Sequence, residues 1–319
     1  MKLLKIFIGI VSFCAGCSIA APLPVLKNGA PKVLVSIRPL YGIAASLLEG
    51  VGTPELLLET RISPHVYNLR PGDVSRVKDA DILFWVGPAY EGFLTRLLGQ
   101  MAESKQVQVQ KIPQITQYTL RTDGLWGDTT GHDHHHGHSH EGHHHEPGSI
   151  DGHMWLDVAN GRLIAKVLAA RLIELDPTHA HQYKANLVSF LKRMDILQKS
   201  LEEQVREFHN RSFLVFHDAY QYMEKSLHLK VVGSILLEPD IPAGAHHINR
   251  LHALIKMGRC NCIFSEPQFA LSLVKSLSEN TNVPVALLDP LGSDIPLSPQ
   301  HYEQMFQALV GALKGCLKK

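Results

Sequence analysis

The chain contains no run of about 18 uninterrupted apolar residues, so nothing in it reads as a stable membrane span. Neither sign of charge is in excess: 31 lysines and arginines stand against 30 aspartates and glutamates, a formal net charge of +1. That balance argues against the basic face that nucleic-acid binding needs, and it leaves no polybasic patch for a membrane surface. Common catalytic signatures are missing as well. There is no H-E-x-x-H helix, no G-x-S-x-G elbow and no G-x-x-x-x-G-K-[ST] phosphate loop. Cysteine is scarce, five in 319 residues, and "CNC" at 260–262 is not a C-x-x-C redox pair.

What is present begins with an N-terminal leader. "MKLLKIFIGIVSFCAGCSIAAPLP" carries Lys2 and Lys5, then a short apolar run and small residues, the layout of a secretory signal peptide over residues 1–21. "SIA" ahead of Ala21 fits a cleavage site. "CAGC" at 14–17 is only a partial lipoprotein box, so soluble export is favoured over a lipid anchor at Cys17. Export implies an oxidising compartment in which disulfides persist. Beyond the leader remain Cys260, Cys262 and Cys316, an odd number that leaves one thiol over. A bridge from Cys262, at a strand start, to Cys316, in the last helical pattern, staples that helix to a sheet. Cys260 competes with Cys262 for the same partner, and three buried thiols is the other reading.

The remaining chain is long enough for two domains, and its 45% apolar content suffices for a large core. Short β-branched runs alternate with amphipathic patterns: "KVLVSI" leads into "YGIAASLLEG", and "ADILFWVG" into "YEGFLTRLLGQM". The same alternation returns after residue 209 with "SFLVF", "KVVGSIL", "CIFSEP" and "VPVALLDP". It predicts an α/β fold: two (β/α) lobes with parallel sheets, over 31–176 and 209–319. Between them, Leu187, Phe190, Leu191, Met194, Leu197, Leu201 and Val205 form one stripe at spacings of three and four. No glycine or proline interrupts 178–208. Some 30 residues at 1.5 Å each span roughly 45 Å, so 177–208 is expected as a helix linking both lobes.

Twenty histidines are present, and nine lie in "GHDHHHGHSHEGHHHEPG" at 131–148. These are His132, His134, His135, His136, His138, His140, His143, His144 and His145. The tract is polar, low in complexity and glycine-interrupted, so it cannot bury a core. It points to accessory metal binding: several weak, exchanging positions, each at a cost in loop ordering.

Stronger candidates lie outside it. His65 ("SPHVYNL") and His153 ("DGHMWLDV") stand just before helices. His217 ("FLVFHDAY") and Asp289 ("VALLDPLG") stand at strand ends. Open α/β sheets bind ligands beyond the carboxyl ends of their strands, so a cleft between the lobes can gather all four. Three imidazoles and one carboxylate suit Zn²⁺ and disfavour copper(I) and calcium. His179, His181, His209, His228 and His301 read as surface or loop residues, and His246-His247 as a helix start. Arg70 and Asp73 read as ordinary helix-start residues.

The motifs "SPHVYNLRPGDVSRVKDADILFWVGPAYEGF", "DGHMWLDV", "FLVFHDAYQYMEK", "EPDIPAGAHHINRLHALI", "FSEPQF" and "LDPLGSDI" occur in this order. Together they resemble ZnuA-type proteins, the periplasmic zinc-binding components of bacterial ABC importers in the TroA-like (cluster A-I) group of solute receptors. The resemblance covers about 31–319. It implies two (β/α) lobes on one long rigid helix, with metal in the cleft between them. It carries the family's three zinc histidines onto His65, His153 and His217. Manganese-type relatives have a glutamate at the place of His217, so histidine there favours zinc. It makes Asp289 a direct ligand in some relatives; water, or a glutamate just before the first histidine, serves in others. Pro64 rules out that glutamate here. The resemblance also implies a Cys262–Cys316 disulfide, from whose pattern Cys260 departs. Glu266 of "FSEPQF" is expected either to line the cleft and orient a ligand or to serve a helix start.

The function implied is a zinc receptor rather than an enzyme. It is periplasmic, monomeric and without a nucleic-acid partner, and a membrane permease with its cytoplasmic ATPase reads its loaded state. The histidine tract then acts as a collector, reservoir or sensor. Competing readings are a receptor for Mn²⁺ or Fe²⁺, a zinc hydrolase with Glu266 as its only candidate base, and an adhesin or zinc chaperone on the same fold.

Overall fold

Val33–Val35, Ile82–Trp85 and Cys262–Ser265 are short apolar runs buried at every position, as strands covered on both faces must be. The structure, a computed structural model, describes residues 29–59, 63–126, 149–239 and 241–318. The expected leader, with Cys14 and Cys17, and the histidine tract lie outside the described residues.

Two parallel sheets are present. The first holds β1 (Val33–Val35), β2 (Glu55–Leu56), β3 (Ile82–Trp85) and β4 (Gln106–Gln108), in the order β2-β1-β3-β4. The second holds β5 (Ser212–His217), β6 (Lys230–Leu236), β7 (Cys262–Ser265) and β8 (Val285–Leu287), in the order β6-β5-β7-β8. The two lobes thus repeat one topology without an evident sequence repeat. β4 has no counterpart among the sequence expectations: its "QVQ" is an edge strand with only its central valine buried, too polar to register as a core run.

The helices are α1 (Arg38–Leu48), α2 (Pro71–Asp79), α3 (Thr95–Leu98), α4 (Val158–Leu175), α5 (Ala180–Val205), α6 (Gln221–Ser226), α7 (Ala245–Lys256), α8 (Ser272–Ser278) and α9 (His301–Leu317). Single 3₁₀ turns at Pro177–His179 and Arg206–Phe208 flank α5 and continue it to 177–208, the expected linking segment. Its buried residues, Tyr183, Asn186, Phe190, Met194, Leu197, Leu201 and Val205, recur every three or four positions and present one face inward. No described helix is long and apolar enough to cross a membrane.

α5 is not a free-standing rod. It packs with α1, α4 and α9, while α1 also meets β1 and α9 meets β8. One apolar core runs through this layer from Val35 of the first sheet to Phe213 of the second. Two glycines permit the close approach of α9. A Cβ on Gly42 stands 2.7 Å from the Tyr302 backbone nitrogen, and one on Gly161 clashes with the Tyr302 hydroxyl, which is bonded to Trp155 O at 2.6 Å. Asn186 donates to Leu47 O and Glu49 O, both at 2.8 Å, and so satisfies carbonyls at the end of α1. A core shared this closely resists large relative motion of the lobes, because packed interiors transmit strain.

The disulfide joins Cys262 to Cys316 and fastens α9 to β7. Cys260 is buried and free, its thiol 3.1 Å from Cys262 O. It does not compete for Cys316, because it belongs to the core layer of α7 and α8 whereas Cys262 and Cys316 share the central core.

One stretch of the expected first-lobe span, 31–176, lies on the second lobe. Leu125 pairs antiparallel with Gly233, Trp126 N bonds Val232 O at 3.1 Å, and Ser234 N bonds Gly124 O at 2.9 Å. Upstream, Thr119 pairs with Ile150. These isolated bridges leave no periodic signature in sequence. His301 also differs from expectation: it is fully buried at the start of α9, with its ring nitrogens 3.1 Å from Leu291 O and 3.3 Å from Pro296 O.

Candidate metal centre

The candidate residues reach one place because strands and short turns end there. β5 ends on His217 itself. His65 sits in the 3₁₀ turn Pro64–Val66 that follows β2, where the Ser63 hydroxyl accepts from His65 N at 3.4 Å. His153 precedes the turn Met154–Leu156, and the next residue, Asp157, caps α4 by accepting from Ala159 N at 2.8 Å.

These three histidines come together, each offering one ring nitrogen within 4.8 Å of the others. His65 Nε2 lies 3.4 Å from His153 Nε2, which lies 3.2 Å from His217 Nε2. Nitrogens bound tetrahedrally to one zinc at 2.0–2.1 Å stand about 3.3 Å apart. These two spacings match that value, and the ring nitrogens of His65 and His217 lie within 4.8 Å of each other. The cluster lines a cavity of about 180 Å³, walled also by Tyr90, Asp218 and Glu238. His153 and His217 are buried, and His65 is half-buried toward the opening. Tyr90 packs edge-on against His65 and His153, and Phe269 against His217.

Two imidazoles are held by buried carboxylates. His153 Nδ1 donates to Asp151 Oδ1 at 2.8 Å, and the same oxygen accepts from His153 N at 2.9 Å. His217 Nδ1 donates to Glu266 Oε1 at 2.8 Å. A proton on each Nδ1 leaves Nε2 as the site of the lone pair, aimed at the cluster. Glu266 therefore takes the ligand-orienting role of its two expected ones. Asp151 was not singled out from sequence; its signal is only the adjacency "DGH". Its other oxygen accepts from Gln221 Nε2 at 3.3 Å, so the second lobe helps hold a first-lobe histidine.

The electrostatics favour a cation. Burial above all, and then the charge on His217, holds His153 well below its ordinary value. Burial also lowers His217, but the Glu266 charge and hydrogen bond outweigh it, with Asp218 and Asp151 adding, so His217 is raised. Across the 3.2 Å between the two Nε2 atoms, His217 is therefore the readier of the pair to hold a proton. Burial pushes the Asp151 carboxyl up to about 7 and raises Glu266. A dication at the Nε2 atoms supplies the positive charge that such buried carboxylates require.

Asp289 is not brought into this group. Its Oδ1 accepts from Gln268 Nε2 at 2.9 Å and Leu291 N at 3.0 Å, and its Oδ2 accepts from Ser293 N at 2.5 Å. Those bonds commit the carboxylate to the turn after β8. Asp73 accepts from Arg70 N at 2.9 Å and from the Tyr67 hydroxyl at 2.7 Å, which is the expected helix-start role.

Comparison with known proteins gives a consistent result. The family model for the periplasmic zinc-uptake complex component A (ZnuA) matches residues 33–316. The chain is 36% identical over 320 residues to the high-affinity zinc uptake system protein ZnuA of Brucella suis, covering 90% of this chain and 92% of that one. It is 35% identical over 291 residues to the protein of that name from Yersinia pestis, covering 90% and 91%. Among solved structures, a ZnuA crystal structure superimposes with TM-score 0.73 at 21% identity, over 90% of this chain and 99% of that one. The periplasmic zinc-binding protein TroA from Treponema pallidum does so with TM-score 0.73 at 19% identity, over 91% and 99%. The two lobes, the linking helix and the family match over nearly the whole chain agree: the chain belongs to the ZnuA family of periplasmic zinc-uptake components.

Proposed function

We propose that this protein is the periplasmic high-affinity zinc receptor of an ABC importer, with His65, His153 and His217 as zinc ligands. The observation that carries the reading is the convergence of three histidine ring nitrogens, with His153 Nε2 at zinc-ligand spacing from both His65 Nε2 and His217 Nε2, and two of the rings backed by buried carboxylates. Zinc is the cargo. His65 and His153 approach it from the first lobe and His217 from the second, so the ion bridges the cleft. A water molecule completes the tetrahedron, because Asp289 is engaged by Gln268, Leu291 and Ser293. A monomer presents the loaded cleft to a membrane permease driven by its cytoplasmic ATPase. The shared core across the lobes restricts the signal to a small rocking or to loop ordering.

The hydrolase alternative loses its base. Glu266 is 1% exposed and holds His217, so it is not placed to activate a metal-bound water. The Mn²⁺ or Fe²⁺ alternative is disfavoured because every protein donor in the cluster is an imidazole nitrogen.

The test is a competition titration with a chromophoric zinc chelator on the exported protein, its His217→Ala and its His153→Ala variants. Tight one-to-one zinc binding that is lost in both variants supports the assignment. Zinc affinity within about twofold of wild type in either variant, against the 10–100-fold that even supporting residues are worth, rules it out.

A further inference from the structure

Arg121 lies outside the histidine cluster but is one residue removed from it. It sits on the strap that leaves the first lobe and runs onto the edge of the second. Its guanidinium lies over the Trp126 ring, 4.1 Å from the centroid. It donates to Asp218 Oδ1 at 3.2 Å and to Glu224 Oε2. All three charged side chains are largely withdrawn from solvent, at 18%, 3% and 15% exposure.

Asp218 follows His217 directly and lines the same cavity as the three histidines. Its second oxygen, Oδ2, is buried without a hydrogen-bond partner. Leaving a buried carboxylate oxygen unsatisfied is costly, so its retention beside a metal-type cluster calls for a reason. The other carboxylates described here are engaged: Asp151 by His153 and Gln221, Glu266 by His217, and Asp289 by Gln268 and two backbone amides. Glu266 also leaves one oxygen, Oε2, without a partner, but its Oε1 is bound to a histidine of the cluster itself, whereas Asp218 is anchored at a single oxygen by Arg121, which lies outside the cluster.

Donor type decides which divalent ion a site prefers. Imidazole sites suit zinc, and added carboxylate oxygens move a site toward manganese-like ions of higher coordination number. We propose that Arg121 is a positioning residue for metal selectivity: by holding the Asp218 carboxylate on its guanidinium, it keeps an oxygen donor away from the three-histidine cluster and biases the cleft toward Zn²⁺ over Mn²⁺. This inference rests on the reading of the cleft as the zinc site. Trp126 and Glu224 assist by fixing the guanidinium plane, and a planar fork on a ring is an arrangement that lysine does not reproduce.

The test compares Zn²⁺ and Mn²⁺ dissociation constants, each measured by chelator competition, for wild type, Arg121→Gln, Asp218→Asn and the double variant. Arg121→Gln is expected to lower the zinc-over-manganese ratio roughly tenfold, the lower end of effects known for residues that support metal ligands. Asp218→Asn keeps the wild-type ratio, and the double variant returns to it, because no carboxylate remains to be released. If Arg121→Gln does not fold, Arg121→Lys carries the comparison, with a smaller shift in the same direction. Equal factors on both metals, or no change in either, overturn the proposal, since a merely structural or long-range charge effect acts on both ions alike. A shift that persists in the double variant overturns it too. A wild-type protein that binds no zinc in the cleft removes the underlying site assignment instead, so the two failures are distinct.

Discussion

Glu266 Oε1 accepts from His217 Nδ1 at 2.8 Å, and both residues are almost completely buried, His217 at the end of β5 and Glu266 directly after the neighbouring strand β7. The pair fixes which nitrogen of His217 faces the cleft. Substituting Glu266→Gln keeps the shape but allows the amide nitrogen to face the ring. Zinc affinity is expected to fall about 10–100-fold, as for other groups that orient metal ligands. Asp151→Asn is expected to act similarly through His153. Chelator competition alongside circular dichroism checks both; an unchanged Kd in Glu266→Gln contradicts the role given to this carboxylate.

Zinc binding should release protons. His217 is raised by Glu266, so a proton competes there with zinc for the Nε2 lone pair. Since the proton competes for the same lone pair, affinity falls as pH drops through and below the histidine range. Titration calorimetry in two buffers of different ionisation enthalpy measures the proton count near pH 6.5. A count of zero there is inconsistent with the protonation assigned to His217.

Stability of the zinc-free protein should carry a signature of Glu91. Burial raises its carboxyl from 4.5 to about 7, although Ser36 and the Gly87 amide bond to it. The folded state then binds this proton more tightly than the unfolded chain does. The stabilisation is complete below about pH 4.5 and is lost as pH rises through 7, a change on the order of 3 kcal/mol. Glu91→Gln removes the ionisation. The variant is therefore expected to gain stability relative to wild type between pH 5 and pH 8, measured by urea unfolding at each pH; a flat difference counts against a raised Glu91.

The Cys262–Cys316 bridge closes a loop of sequence separation 54, for which chain entropy gives about 4 kcal/mol. Cys316→Ala should lower unfolding stability by up to that amount and leave zinc affinity nearly unchanged, since the bridge lies away from the histidines. Cys260→Ser should leave the disulfide intact, as thiol counting under denaturing conditions will show. Bridge loss in Cys260→Ser would mean that the thiols exchange.

Deleting 132–145 separates the histidine tract from the cleft. The tight site proposed at His65, His153 and His217 should remain within a few-fold, while total zinc bound at high concentration falls because the weak tract positions are gone. Loss of the tight site on deletion would transfer the principal role to the tract.

Much of this was legible in the sequence. Periodicity alone marks the buried strands and the stripe of α5, because a parallel sheet buries both faces and a linking helix buries one. The ordered motifs bring His65, His153 and His217 forward as a ligand set through the family resemblance they carry; spacing alone does not, since His153 stands 88 residues from His65 and 64 from His217. What the sequence does not encode is convergence. Whether Asp289 faces the cleft depends on its bonds to Gln268, Leu291 and Ser293. Whether Cys260 or Cys262 meets Cys316 depends on which core each thiol enters: Cys262 opens β7 and joins Cys316 in the central core, whereas Cys260 precedes the strand and packs with α7 and α8. The carboxylates behind His153 and His217, and the strap that places Arg121 on Asp218, join residues up to 97 positions apart. The sequence by itself determined the lobes, the linking helix and the nitrogen donors. Only the tertiary structure decided which carboxylates orient those donors and which stay back, because hydrogen-bond partners across a cleft follow from packing and not from local pattern.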